Sequence, residues 1–185
     1  MKKFILLSLI TVFVLESCNS NSSSIPTDEE TSIFKKNIET FQIWKKSHEV
    51  EDVGMFMEIL SDTLQWSPPN YDGKILGKED LKAALSEVYF PLFENIRFTE
   101  GVGLPYPDPP GYWGGSTFSS RESMGLSSNP NSLRVYGLWT ANHSDTGNEV
   151  QFKWFALIDF NEDGKIVKIS DYMDVTGVLM KLTNP

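Results

Sequence analysis

The chain has 185 residues, 40 % of them hydrophobic and 12 % aromatic, which is enough apolar side chain for one packed domain and too much for a disordered segment. Lys and Arg number 16 against 25 Asp and Glu, a net charge of -9 without a basic cluster, so a nucleic-acid partner is excluded. The single cysteine leaves no intramolecular disulfide, and two histidines without local Cys or Glu clusters give no zinc site.

The first element is an address. Lys2 and Lys3 precede an apolar run from Phe4 to Leu15 and then Cys18, the layout of a secretory signal peptide over residues 1–17. The run is too short for a transmembrane helix, which takes about 20 residues. Leu15-Glu16-Ser17-Cys18 resembles the lipobox of bacterial lipoproteins, departing from it at Glu16. The resemblance implies cleavage before Cys18, lipidation of its thiol, and a bacterial cell-envelope protein anchored to a membrane on its periplasmic or surface side. Removing residues 1–17 takes the charge to -10. Residues 18–30 then read as lipidated Cys plus polar tether, and 31–185 as the folded domain.

Within the domain, Ile33, Phe34, Ile38, Phe41 and Trp44 recur at helical spacing, followed by a break at 47–52 and a second helix to Leu60. The segment 62–66 is strand-like and stops at Pro68-Pro69. "KEDLKAALSEVYFPLF" predicts a third helix, with Leu81, Leu85, Val88 and Leu92 on one stripe. Four β-rich segments come next, "NIRFTEGVG", "SLRVYGLWTANH", "EVQFKWFALIDF" and "KIVKISDYM". Turns at 143–148 and 161–164 join the last three as hairpins. Helices succeeded by an antiparallel meander predict an α+β fold.

Residues 102–132 form a long Pro-, Gly- and Ser-rich loop, read either as a lid or as a packed surface loop, with Tyr106, Tyr112, Trp113 and Phe118 for docking. Asp159, Asn161, Asp163 and Gly164 match the start of a calcium loop, but Ser170 stands where its bidentate Glu belongs and the flanks are strands. No metal or cofactor is expected.

The order of two helices, "LSDTLQWSPP…GKILGKEDLKAAL", and strands closing on "DFNEDGKIVKISDYMD" resembles the nuclear transport factor 2-like superfamily, in particular its SnoaL-like branch. The resemblance spans residues 31–176. It implies a cone-shaped, curved antiparallel sheet wrapped around the three N-terminal helices, an apolar pocket at the open end, and a possible homodimer. Ketosteroid isomerases, polyketide cyclases and epoxide hydrolases share the fold, as do pure binding modules. The isomerase base falls at Ser67, its oxyanion-hole acid at Ala156, and its helix-one Tyr near Ile43 or Trp44, so none of the three groups is retained.

With Ala156 facing inward, strand alternation turns Trp154 and Ile158 inward too, and on the next strand Val167, Ile169, Asp171 and Met173. Asp174 and Tyr172 fall on the outer face. Asp171 becomes the one acid on an apolar wall and the candidate acid/base, with the backbone, Tyr89 or Trp66 Nε1 as its partner if it is only a satisfied carboxylate. Trp66, Trp44 and Trp139 read as core aromatics, with Trp66, before the Pro pair, the candidate for a rim contact. His143 reads as an exposed hairpin residue and His48 as one that bonds locally at a helix break, which leaves no Ser-His-Asp triad. The functional expectation is a membrane-anchored lipoprotein binding a small apolar or amphipathic molecule through Trp66, Trp154, Ala156, Ile158, Ile169, Asp171 and Met173. The alternatives are an isomerase or hydrolase using Asp171 and a dimeric interaction module with a closed pocket.

Overall fold

A computed structural model describes residues 26–70, 72–102, 112–114 and 129–183. The expected signal peptide, Cys18 and most of the 102–132 loop, with Tyr106 and Phe118, lie outside them. Helix α1 (Asp28–Glu49) begins before residue 31 because Thr27 and Glu30 form a capping box: the Glu30 N–H donates to Thr27 Oγ1, and the Thr27 N–H to Glu30 Oε2. After the break comes α2 (Val53–Glu58), capped by Asp52, and then strand β1 (Leu60–Ser67).

The third helical segment is not uniform. It runs as α3 (Lys78–Ala83), a π-helical turn (Ala84–Tyr89) and a single turn α4 (Phe90–Leu92). The extra residue of a π turn rotates the side chains beyond it around the helix axis. Leu81 and Leu85 are therefore buried, whereas Val88 is 53 % exposed, contrary to the single stripe read from an ideal helix, and Tyr89 and Phe90 turn toward the core.

Strands β2 (Phe93–Glu100), β3 (Tyr112–Gly114), β4 (Ser132–His143), β5 (Glu149–Phe160) and β6 (Ile166–Met173) complete a six-stranded sheet, order β1-β6-β5-β4-β2. The short β3, unmarked in the sequence, shares one edge of β4 with β2: it pairs along Leu133–Val135, and β2 along 137–143. All pairings are antiparallel except β1 with β6, which is parallel and corrects the expectation of a wholly antiparallel sheet. Bulges interrupt the β1–β6, β2–β4 and β5–β6 ladders, and bulges bend and twist the strands that carry them. The last one displaces Val167: Phe160 pairs with Ile166, which is fully buried, so Ile166 takes the inward place expected of Val167.

Helix α1 lies across the concave face, with Phe41 against Phe98 of β2, Tyr112 of β3 and Trp154 of β5. Gly137 on β4 lets the sheet close there, since a Cβ would sit 2.6 Å from the Thr99 carbonyl oxygen and overlap the Phe98 ring. The two expected hairpin turns are present, and Gly164 adopts φ +80°. A final helix α5 (Val175–Thr183) has no counterpart among the expected elements. Asp174 caps it, accepting from the Gly177 N–H at 2.8 Å, so this acid ends the strand by starting a helix. Among the described residues no helix is long and apolar enough to cross a membrane, and no cluster of three metal-ligating side chains occurs.

Candidate functional site

One end of the space between α1 and the sheet is not filled. A cavity of about 100 Å³, open to the centre of a water-sized molecule, is walled by aromatic and aliphatic side chains. On that scale one water takes roughly 10–15 Å³, so the cavity is large enough for a small organic molecule. Trp44 and His48 come from α1, Phe56 from α2, Trp66 from β1, and Leu81, Leu85 and Tyr89 from α3 and the π turn. Opposite them stand Trp139 of β4, Trp154 of β5, and Asp171 and Met173 of β6. Among the described residues no Lys or Arg lines it, and Asp171 is the one carboxyl group.

The register explains why Asp171 faces inward. Trp154, Ala156 and Ile158 of β5 pair with Met173, Asp171 and Ile169 of β6, and all six share the concave face. The parallel β1–β6 pair sets Trp66 beside Ile169, and its indole Nε1–H donates to Asp171 Oδ2 at 2.8 Å. Oδ1 is buried and no donor meets it in hydrogen-bonding geometry, although the Trp154 indole N–H lies near enough to favour the ionised form. Burial pushes the carboxyl up to about 7; the Trp66 hydrogen bond, and the Trp154 indole after it, pull the other way. Tyr89 stands close enough for the Asp171 charge to reinforce burial in raising its phenol.

His48 is a further polar group on the wall, which also carries the Tyr89 and Thr140 hydroxyls. Its ring stacks on Trp44 and meets Phe56, Phe90 and Trp139. Nδ1 lies 3.0 Å from the Trp44 carbonyl oxygen, which only accepts, so Nδ1 carries the proton and Nε2 is an acceptor. Burial drives the ring down to about 4, and the bond to Trp44 offsets part of that, so His48 is uncharged at neutral pH.

Of the seven expected ligand-binding residues, Trp66, Trp154, Asp171 and Met173 line the cavity. Ala156, Ile158 and Ile169 do not: they share the face but are at most 2 % exposed, in the core beyond the cavity. Trp66 is no rim residue, being 5 % exposed. His143 is buried rather than exposed, with Nδ1 2.9 Å from Thr146 Oγ1 inside its own hairpin. The bond of His48 to Trp44 is the local one expected, but sequence reasoning missed the place of His48 on the cavity wall. Its place four residues after Trp44 and seven after Phe41, on the same helix face, was the available signal. Ser67, at the isomerase base position, lies outside the lining, and Ala156 carries no hydrogen-bonding side chain; Trp44, near the helix-one Tyr position, does line the cavity.

No family model matches the sequence, and no curated protein matches it. Solved structures share its architecture. A protein named as a SnoaL-like polyketide cyclase from Jannaschia sp. CCS1 superposes with a TM-score of 0.60 at 12% identity, covering 88% of this chain and 99% of that one. An NTF2-like protein from Anabaena variabilis gives 0.58 at 13% identity, over 84% and 98%. A steroid delta-isomerase from Pseudomonas aeruginosa gives 0.51 at 15% identity, over 80% and 86%. At such identities the likeness concerns fold alone, and the chain has the NTF2-like fold that these structures share.

Proposed function

We propose that this is a lipid-anchored protein of the bacterial cell envelope that binds a small, largely apolar molecule in the cavity, with Asp171 as its polar anchor. The observation that carries the reading is Asp171 Oδ1, a buried oxygen without a hydrogen-bond partner on the wall of a largely apolar cavity. Buried polar atoms are nearly always bonded, so an unmet one beside a cavity calls for a ligand atom or water. Anchoring rests on the sequence from Lys2 to Cys18 and its resemblance to a lipobox. Solved neighbours named for a polyketide cyclase and a steroid delta-isomerase fit a carbon-rich ligand. The test is native mass spectrometry of the protein purified from its own cells. A co-purifying small molecule, absent from an Ala141→Phe variant that fills the cavity, is the expected result; a parent protein at its bare sequence mass, with no adduct, overturns it. Detergent-phase partitioning that is lost in Cys18→Ser tests the anchor separately.

A second reading makes Asp171 a general acid or base in an isomerase or hydrolase. The carboxyl at about 7 favours it, because a group half ionised near neutrality both gives and takes protons. Turnover whose pH profile is abolished by Asp171→Asn supports this reading, and unchanged turnover removes it. A closed interaction module loses its ground, since the space is open.

A further inference from the structure

Three buried side-chain polar atoms among the described residues have no hydrogen-bond partner: Trp44 Nε1, Asp171 Oδ1 and Ser144 Oγ. Two of the three belong to residues on the wall of the same cavity, one on α1 and the other on β6. An orphaned buried donor or acceptor carries a desolvation cost that a partner would relieve. The two atoms want different things. An indole N–H only donates, whereas a carboxyl oxygen accepts when ionised and, when protonated, its group can also donate.

Ligand charge is constrained by the same wall. Among the described residues no Lys or Arg lines the cavity, so from them an anion would meet no counter-charge beside Asp171. A cation would answer Asp171 and the aromatic faces but would leave the Trp44 N–H unmet, since an ammonium accepts nothing. A ketone would answer Trp44 and could serve Asp171 only in its protonated form. His48, held neutral with Nε2 as an acceptor, adds a second place for a donated hydrogen.

From these two unmet atoms, and resting on the cavity being the ligand site, we infer that the ligand is an uncharged apolar molecule with one hydroxyl head, which accepts from Trp44 Nε1–H and donates to Asp171. A hydroxyl alone among the simple heads satisfies both residues in either ionisation state of the carboxyl. The cavity thus selects alcohols over the matching ketones, amines and hydrocarbons.

The test is calorimetric titration of the purified protein with cyclohexanol, cyclohexanone, cyclohexylammonium and methylcyclohexane, below and above the Asp171 titration at about 7. Cyclohexanol should bind about tenfold more tightly than methylcyclohexane on both sides. Cyclohexanone should weaken as pH rises and the carboxyl ceases to donate. Trp44→Phe, which keeps an aromatic ring and deletes the N–H, should cost the alcohol about fivefold and the hydrocarbon nothing. Equal binding of cyclohexanol and methylcyclohexane overturns the inference and leaves the cavity a ligand site, as does an ammonium that binds more tightly than the alcohol above pH 7. Failure of every probe to bind overturns the site itself and this inference with it.

Discussion

The indole Nε1–H of Trp66 donates to Asp171 Oδ2 at 2.8 Å, joining the first and last strands of the sheet where they run parallel. It occupies one carboxyl oxygen and leaves the other unmet, so the acid is held in place without being satisfied. Replacing Trp66 by Phe deletes a bond that favours the ionised form. The Asp171 titration, tracked by carboxyl-carbon NMR, should then move above about 7, and stability should fall by about 1 kcal/mol. A midpoint unmoved in the variant would show that this bond does not govern the acid.

Two half-buried groups on one cavity make opposite demands on pH. His48 titrates at about 4 when folded, against an ordinary value of 6.5, so between those values the unfolded chain binds the extra proton and stability rises with pH. Asp171 titrates at about 7 when folded, against an ordinary value of 3.8, so the folded chain binds the extra proton and stability falls with pH. Each slope approaches about 1.4 kcal/mol per pH unit. Between about 4 and 6.5 the two contributions cancel. Chemical denaturation across that window should show His48→Phe losing stability as pH rises and Asp171→Asn gaining it, each relative to the parent. Parallel curves for all three proteins would contradict the burial of both groups.

The π turn decides which side chains of the third helical segment face the cavity. Val88→Lys should alter stability by less than about 0.5 kcal/mol, because Val88 is outside. Leu85→Ala should cost about 2–5 kcal/mol, because Leu85 is 3 % exposed on the cavity wall. Thermal melts of the two variants distinguish this phase from an uninterrupted α-helix, in which both positions would be sensitive.

At Gly137 the Phe98 ring and the Thr99 backbone are both in the way, and the backbone cannot swing aside as a side chain would. Gly137→Ala should cost about 1–3 kcal/mol in urea unfolding by forcing β2 from β4. A neutral result would mean that the strands have room to shift.

Local patterns in the sequence carried α1, α2, both hairpins and the inward face of β5 and β6, since each depends on periodicity or a turn within a few residues. Asp171 was legible because Ala156 sets its register by direct pairing. The features that escaped depend on longer range or on a broken period. The parallel β1–β6 pair joins segments about a hundred residues apart, so the choice of Trp66 over Tyr89 as the partner of Asp171 needed the fold. Val88 and Val167 were misplaced for one reason: a π turn and a bulge each insert a residue that idealised alternation does not count. Asp174 looked like the end of a strand because its role belongs to the helix after it.

The central claim is that the cavity holds a small molecule against Asp171. A crystal structure of the protein purified from its own cells without added ligand tests it most directly. The expected result is density larger than water within hydrogen-bonding distance of Asp171 Oδ1; a dry cavity, or one closed by Trp44, Tyr89 or Met173, would contradict it.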